Sequence, residues 1–160
     1  GTPQFVPPGR CLVLLTEDAT ALWVTSWPFA AYVKHAWAGA WVCSLFRNES
    51  ETLSSELIRS AVAATRWYYG DAPTLGFITF VDASKTRRKR DPGRCYRKAG
   101  WTHVGYTIGG LHALQRYSVS GGRRVVWCRC RHCDAMRRTR QDREFNPSEP
   151  QWHTYFVAQP

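Results

Sequence analysis

Long apolar runs are missing from this sequence. The longest, Cys11-Leu12-Val13-Leu14-Leu15, is strand-sized, far short of the roughly 20 residues a membrane-spanning helix needs. No membrane partner is expected. The start, Gly1-Thr2-Pro3-Gln4, lacks the basic stretch and apolar centre of a signal peptide. A soluble, cytoplasmic protein is expected, with its six cysteines reduced. Acids are scarce: 12 Asp and Glu stand against 22 Lys and Arg, a net charge of +10. Such a balance favours polyanionic partners: DNA, RNA or a phosphorylated cofactor. No internal repeat occurs.

What is present suits one folded domain. The 160 residues are 44% hydrophobic and include eight tryptophans, enough to build a core. Cys11 and Cys43 read as small core residues, and most of Trp23, Trp27, Trp37, Trp41 and Trp67 as core rings. Strands are expected at Cys11–Thr16, Ala21–Trp27, Trp41–Phe46, Leu75–Val81, Thr102–Thr107 and Leu111–Tyr117. Gly121-Gly122 reads as a turn.

The clearest helix runs from Ser55 to Tyr69. Ser54 is its expected N-cap, and Glu56 sits in the first turn, where the dipole favours an acid. Leu57, Ile58, Ala61, Val62, Thr65 and Tyr68 recur at helical spacing as its buried face. This order predicts a mixed α/β fold, with the helix as a crossover beside the sheet. From Arg123 on, the apolar pattern fades. Residues 1–122 read as the domain and 123–160 as a basic, Cys- and Arg-rich tail, packed on it or extending it.

The charge concentrates in KTRRKRDPGRCYRKAGW, residues 85–101, which holds eight Lys or Arg. Pro92 and Gly93 suit the start of a short helix, Arg94–Ala99, closed by Gly100. Backbone N–H groups at a helix start, ringed by arginines, make an anion site. Arg87, Arg88, Lys89, Arg90, Arg94, Arg97 and Lys98 are therefore candidate phosphate contacts, with Gly93 allowing close approach. The residues leave open whether the phosphate belongs to a cofactor or a nucleic acid. Arg47-Asn48-Glu49 forms a second polar junction, between a strand and the long helix.

Arg90-x-x-Gly93-x-Cys95 resembles the Arg/Gln-x-x-Gly-x-Gly/Ala signature of the GNAT acyltransferases. In that family this loop cradles the pyrophosphate of an acyl-coenzyme A. Tyr96 to Trp101 is similar to the family's later Tyr-x-x-x-Gly-Phe segment, here fused to the first. A closer resemblance is to phage Mom-type DNA-modification proteins of GNAT-like fold. It rests on Asp82 in "FVD", then a basic loop, then Gly93, Tyr96, Ala99-Gly100-Trp101 and Gly105, within residues 40–115.

The resemblance implies a GNAT-like, mostly antiparallel twisted sheet flanked by helices. It also implies modification of the exocyclic amine of adenine in DNA, in host cytoplasm. Acetyl-coenzyme A or a related acyl-coenzyme A would be the donor. Arg88, Arg90, Gly93 and Arg94 would hold the cofactor, and Arg87, Lys89, Arg97, Lys98 and Arg47 the DNA. Asp82 at a strand end can orient or deprotonate an amine nucleophile, and Tyr96 can protonate a leaving thiolate or equally stack on a base. Glu49 joins them as a candidate catalytic group. The alternatives are an ordinary N-acetyltransferase acting on a small amine or protein, and a non-catalytic nucleic-acid binder with a metal-ordered tail. For that tail the candidate iron or zinc ligands are Cys128, Cys130, His132 and Cys133.

Overall fold

The computed structural model describes residues 6–33, 37–82, 91–106, 124–129 and 153–156; for Gly105, Tyr106 and the last two segments only the backbone is described. In chain order the elements are β1 (Gly9–Leu15), β2 (Ala21–Pro28), a turn of 3-10 helix (Ala30–Tyr32), β3 (Trp41–Asn48), α1 (Ser54–Tyr69), β4 (Phe77–Asp82), α2 (Arg94–Lys98), β5 (Thr102–Tyr106), β6 (Arg124–Arg129) and β7 (His153–Phe156). The fold is mixed α/β. The sheet runs in the order β5-β6-β4-β3-β2-β1-β7. Only β3 and β4 pair in parallel; the other neighbours are antiparallel. A parallel pair needs a crossover, and α1 supplies it.

Leu12 and Leu14 of β1, Trp23 of β2, Trp41 and Cys43 of β3 and Phe77 of β4 pack under one face of the sheet. Ile58, Ala61, Val62 and Ala64 of α1 and Tyr96 of α2 close that core from above. Trp101 sits at its centre, fully buried, with ring centroids 5.1 Å from Tyr96 and 5.8 Å from Phe77. Cys11 and Cys43 are buried as expected. Trp67 is not a core ring: it is 62% exposed.

Two helix expectations are corrected. Leu53, in extended conformation, occupies the N-cap position of α1, and Ser54 is its first helical residue. The hydroxyl of Ser54 instead accepts a hydrogen bond from Asn48 Nδ2 at 3.0 Å. Tyr68 is exposed, while Ala64 takes a place on the buried face.

Gly9 begins β1 at φ 152°, where an added Cβ would lie 2.4 Å from the carbonyl oxygen of Trp27. Little regular structure was expected after Arg123. Instead β6 lies between β4 and β5, and β7 borders β1. The expected strand at Leu111–Tyr117 and the turn at Gly121-Gly122 lie outside the described residues. No helix among the described residues is long and apolar enough to cross a membrane.

Candidate functional site

The parallel ladder between β3 and β4 is short. It pairs Trp41 with Phe77, Val42 with Ile78 and Cys43 with Thr79. Past that point β3 continues to Asn48 along β2, and β4 continues to Asp82 along β6. In α/β sheets, ligands bind outside the carboxyl ends of parallel strands, so the end of this ladder is the natural place for a site.

A β-bulge shapes it. Val24 pairs with Leu45 and Thr25 with Cys43, which leaves Ser44 as the extra residue on β3. The Ser44 and Ser26 hydroxyls hydrogen-bond at 2.7 Å. One extra residue reverses the alternation of side chains that follows. Phe46 thus turns onto the helix-covered face, where it meets Trp23 at 5.8 Å and Tyr96 at 6.4 Å.

Tyr96 reaches down from α2 to the last pair of the ladder. Its hydroxyl lies 3.4 Å from Cys43 Sγ. Thr79 Oγ1 donates to the Cys43 carbonyl at 3.1 Å. Burial pushes the Cys43 thiol up to about 12 and holds the Tyr96 phenol well above its ordinary value. Both are therefore protonated at neutral pH, so Tyr96 can donate a proton but not serve as a base.

The predicted site residues do not all converge. Thr79 and Val81 share the helix-covered face with Tyr96. Ile78 and Phe80 lie on the other face, and alternation puts Asp82 on their side. Asp82 and Tyr96 thus stand at the same end of the sheet but on opposite faces. Glu49 is exposed and pairs with exposed Arg47.

The start of α2 is built differently from an open anion cradle. Gly93 precedes it in the left-handed conformation, φ 81° and ψ 17°, which only glycine adopts without strain. The N–H of Arg94 donates to the Asp91 carbonyl, and the N–H groups of Tyr96 and Arg97 both donate to the Gly93 carbonyl. Arg97 also pairs with Asp91. Arg94 and Lys98 are exposed, and the Lys98 carbonyl accepts from Arg59 at 3.1 Å. Arg87, Arg88, Lys89 and Arg90 lie outside the described residues, as do Cys130, His132 and Cys133. Cys128 belongs to β6.

At the start of α1 the loop is filled by Asn48. Its Oδ1 accepts from the Ser50 N–H at 2.9 Å and the Ser50 hydroxyl at 2.7 Å. Its Nδ2 donates to the Thr52 carbonyl at 2.8 Å. Among the described residues, neither helix start offers a free cradle that fits the diphosphate of coenzyme A.

Sequence reasoning missed Cys43 and Thr79 as neighbours of Tyr96. The one available signal was Cys43 itself, a thiol in the apolar first half of its strand. No family model matches this chain, and neither a curated protein nor a solved structure matches it.

Proposed function

We propose that this protein is a DNA-modifying transferase of GNAT-like fold and Mom type, placing an acyl-type group on the exocyclic amine of adenine. The supporting observation is the Tyr96 hydroxyl, buried and protonated, at the point where the parallel ladder of β3 and β4 ends. Asp82 closes β4 on the other face. A centre shared by the two groups would have to lie beyond the strand ends, where the two faces meet.

The amine nitrogen forms a bond to the carbonyl carbon of an activated acyl donor. The bond from that carbon to the leaving atom breaks. Asp82 takes the proton released by the amine, and Tyr96 supplies one to the leaving atom. A paired adenine must first leave its stack. The net charge of +10 and the exposed Arg94 and Lys98 favour holding the DNA backbone. Because the described helix starts do not fit a diphosphate, no step is assigned to coenzyme A.

The test is mass spectrometry of nucleosides from plasmid DNA in bacteria expressing the wild type or Asp82→Ala. A new adenine-derived mass with the wild type alone is expected. Unmodified DNA from cells holding folded wild type would overturn the proposal.

One observation favours a second reading, a non-catalytic basic nucleic-acid binder: Tyr96 is only 6% exposed, as a core ring would be. In that case DNA affinity would fall with salt and be unchanged by Tyr96→Phe, and no modified nucleoside would form.

A further inference from the structure

We infer that the turn between β3 and α1 excludes anions, so that the group donor binds without a diphosphate contact there. This rests on the proposed function only in supposing that a group is transferred. General principles make this turn the first place to look for a phosphate. It follows a parallel strand, and it opens the one helix among the described residues that is long enough to carry a substantial dipole. A phosphate there needs bare N–H groups, close backbone approach and positive side chains.

Apart from the Ser54 and Ser55 amides of the first helical turn, the turn supplies the reverse. Residues 47–54, Arg-Asn-Glu-Ser-Glu-Thr-Leu-Ser, contain no glycine. The N–H of Ser50 is taken by the Asn48 carboxamide, and that of Thr52 by the Ser50 hydroxyl at 3.2 Å. The N–H groups of Glu56 and Leu57 both donate to the Leu53 carbonyl. The turn's one cation, Arg47, is paired with Glu49.

The surroundings repeat the pattern. The Glu49 N–H donates to the Thr20 carbonyl at 2.8 Å, which ties this turn to the β1–β2 turn. Between the two lies an open cavity of about 420 Å³, lined by Thr16, Glu17, Asp18, Thr20, Ser50, Thr52 and Leu57. Among the described residues its lining has two carboxylates and no cation. Hydrogen bonds from the hydroxyls of Thr16 and Thr20 hold the Asp18 carboxyl below its ordinary value, so it is ionised at neutral pH. A diphosphate entering here would meet the carboxylates of Glu17 and Asp18 on the β1–β2 side and neutral residues on the other.

Backbone amide NMR of the whole chain tests this with site resolution and without an activity assay. Coenzyme A and inorganic pyrophosphate are titrated separately. The expected result is that the Ser50, Thr52, Ser54 and Ser55 amides stay in place to millimolar ligand, whether or not coenzyme A shifts amides elsewhere. Saturable shifts of those four amides with both ligands would overturn the inference. A folded Asn48→Gly, Glu49→Gln, Glu51→Gln variant is expected to bind pyrophosphate at these amides at least tenfold more tightly than the wild type. If it does not, the filled, acidic turn is not what excludes anions, and the inference falls. Nucleosides are assayed from the same cells, so absent DNA modification would count against the proposed function without altering the amide result.

Discussion

Two turns leave the carboxyl ends of the parallel strands, and they are built from opposite materials. The β3–α1 turn is acidic, without glycine, and filled by one asparagine side chain. The turn between β4 and α2 is basic, and enters its helix through Pro92 and a left-handed Gly93. Beneath α2, which follows the second turn, lies the buried Tyr96 hydroxyl; beside the first turn lies an acid-lined cavity. Two turns at one end of a sheet thus carry charge of opposite sign. On the proposed function, the DNA backbone belongs on the basic side, and the chemistry belongs beneath it.

The sharpest way to break this contrast is to remove the Tyr96 hydroxyl beneath α2. Tyr96→Phe is expected to lower formation of the modified nucleoside by about 10²–10⁴-fold, the usual worth of a positioned acid. Asn48→Ala, under the acidic turn, is expected to change product less than threefold and to cost about 1–2 kcal/mol of stability from its lost hydrogen bonds. Quantitative nucleoside analysis and urea unfolding check the pair.

Packing separates the same two regions. Trp101→Ala empties a fully buried site beneath α2 and is expected to cost about 3–5 kcal/mol. Leu53→Ala, at a 64% exposed residue of the acidic turn, should fall within roughly 0.5 kcal/mol of wild type.

Alkaline pH should also act on the Tyr96 side. The Cys43 thiol stays protonated in the fold up to about 12, against an ordinary value of 9.0. Its stabilising contribution is complete below pH 9 and lost between pH 9 and about 12, where the unfolded chain has given up the proton. The slope is about 1.4 kcal/mol per pH unit for that proton. Cys43→Ala should flatten the fall in stability measured by denaturation across this window; an unchanged slope would refute the assignment. A small effect is also expected at the exposed pair, where Arg47→Gln or Glu49→Gln should change stability by less than about 1 kcal/mol.

The central strand–helix–strand unit was legible because its signals are local. The strands beginning at Trp41 and Phe77 are apolar runs, and α1 repeats at helical spacing. What stayed hidden depends on distance or on mixed composition. In β6, Val125-Val126-Trp127-Cys128 is enclosed by arginines at both ends, so its apolar centre reads as part of a basic stretch. β7 is four residues long, too short for a period to show.

The Ser54 cap was misread because Asn48, six residues earlier, already fastens the loop. The contact of Cys43 with Tyr96 spans 53 positions, beyond any local pattern. The opposite facing of Asp82 and Tyr96 depends on counting the alternation from Phe77, which the sequence alone did not mark as the first residue of β4.

The most direct test of the central claim is the modified-nucleoside content of plasmid DNA from cells expressing wild type or Tyr96→Phe at equal soluble levels, with the DNA affinity of both purified proteins measured alongside. The expected result is a new adenine-derived nucleoside with wild type, its loss by at least a hundredfold with Tyr96→Phe, and equal affinity for DNA. Equal modification by the two proteins, or none by folded wild type, would contradict a reaction centred on Tyr96.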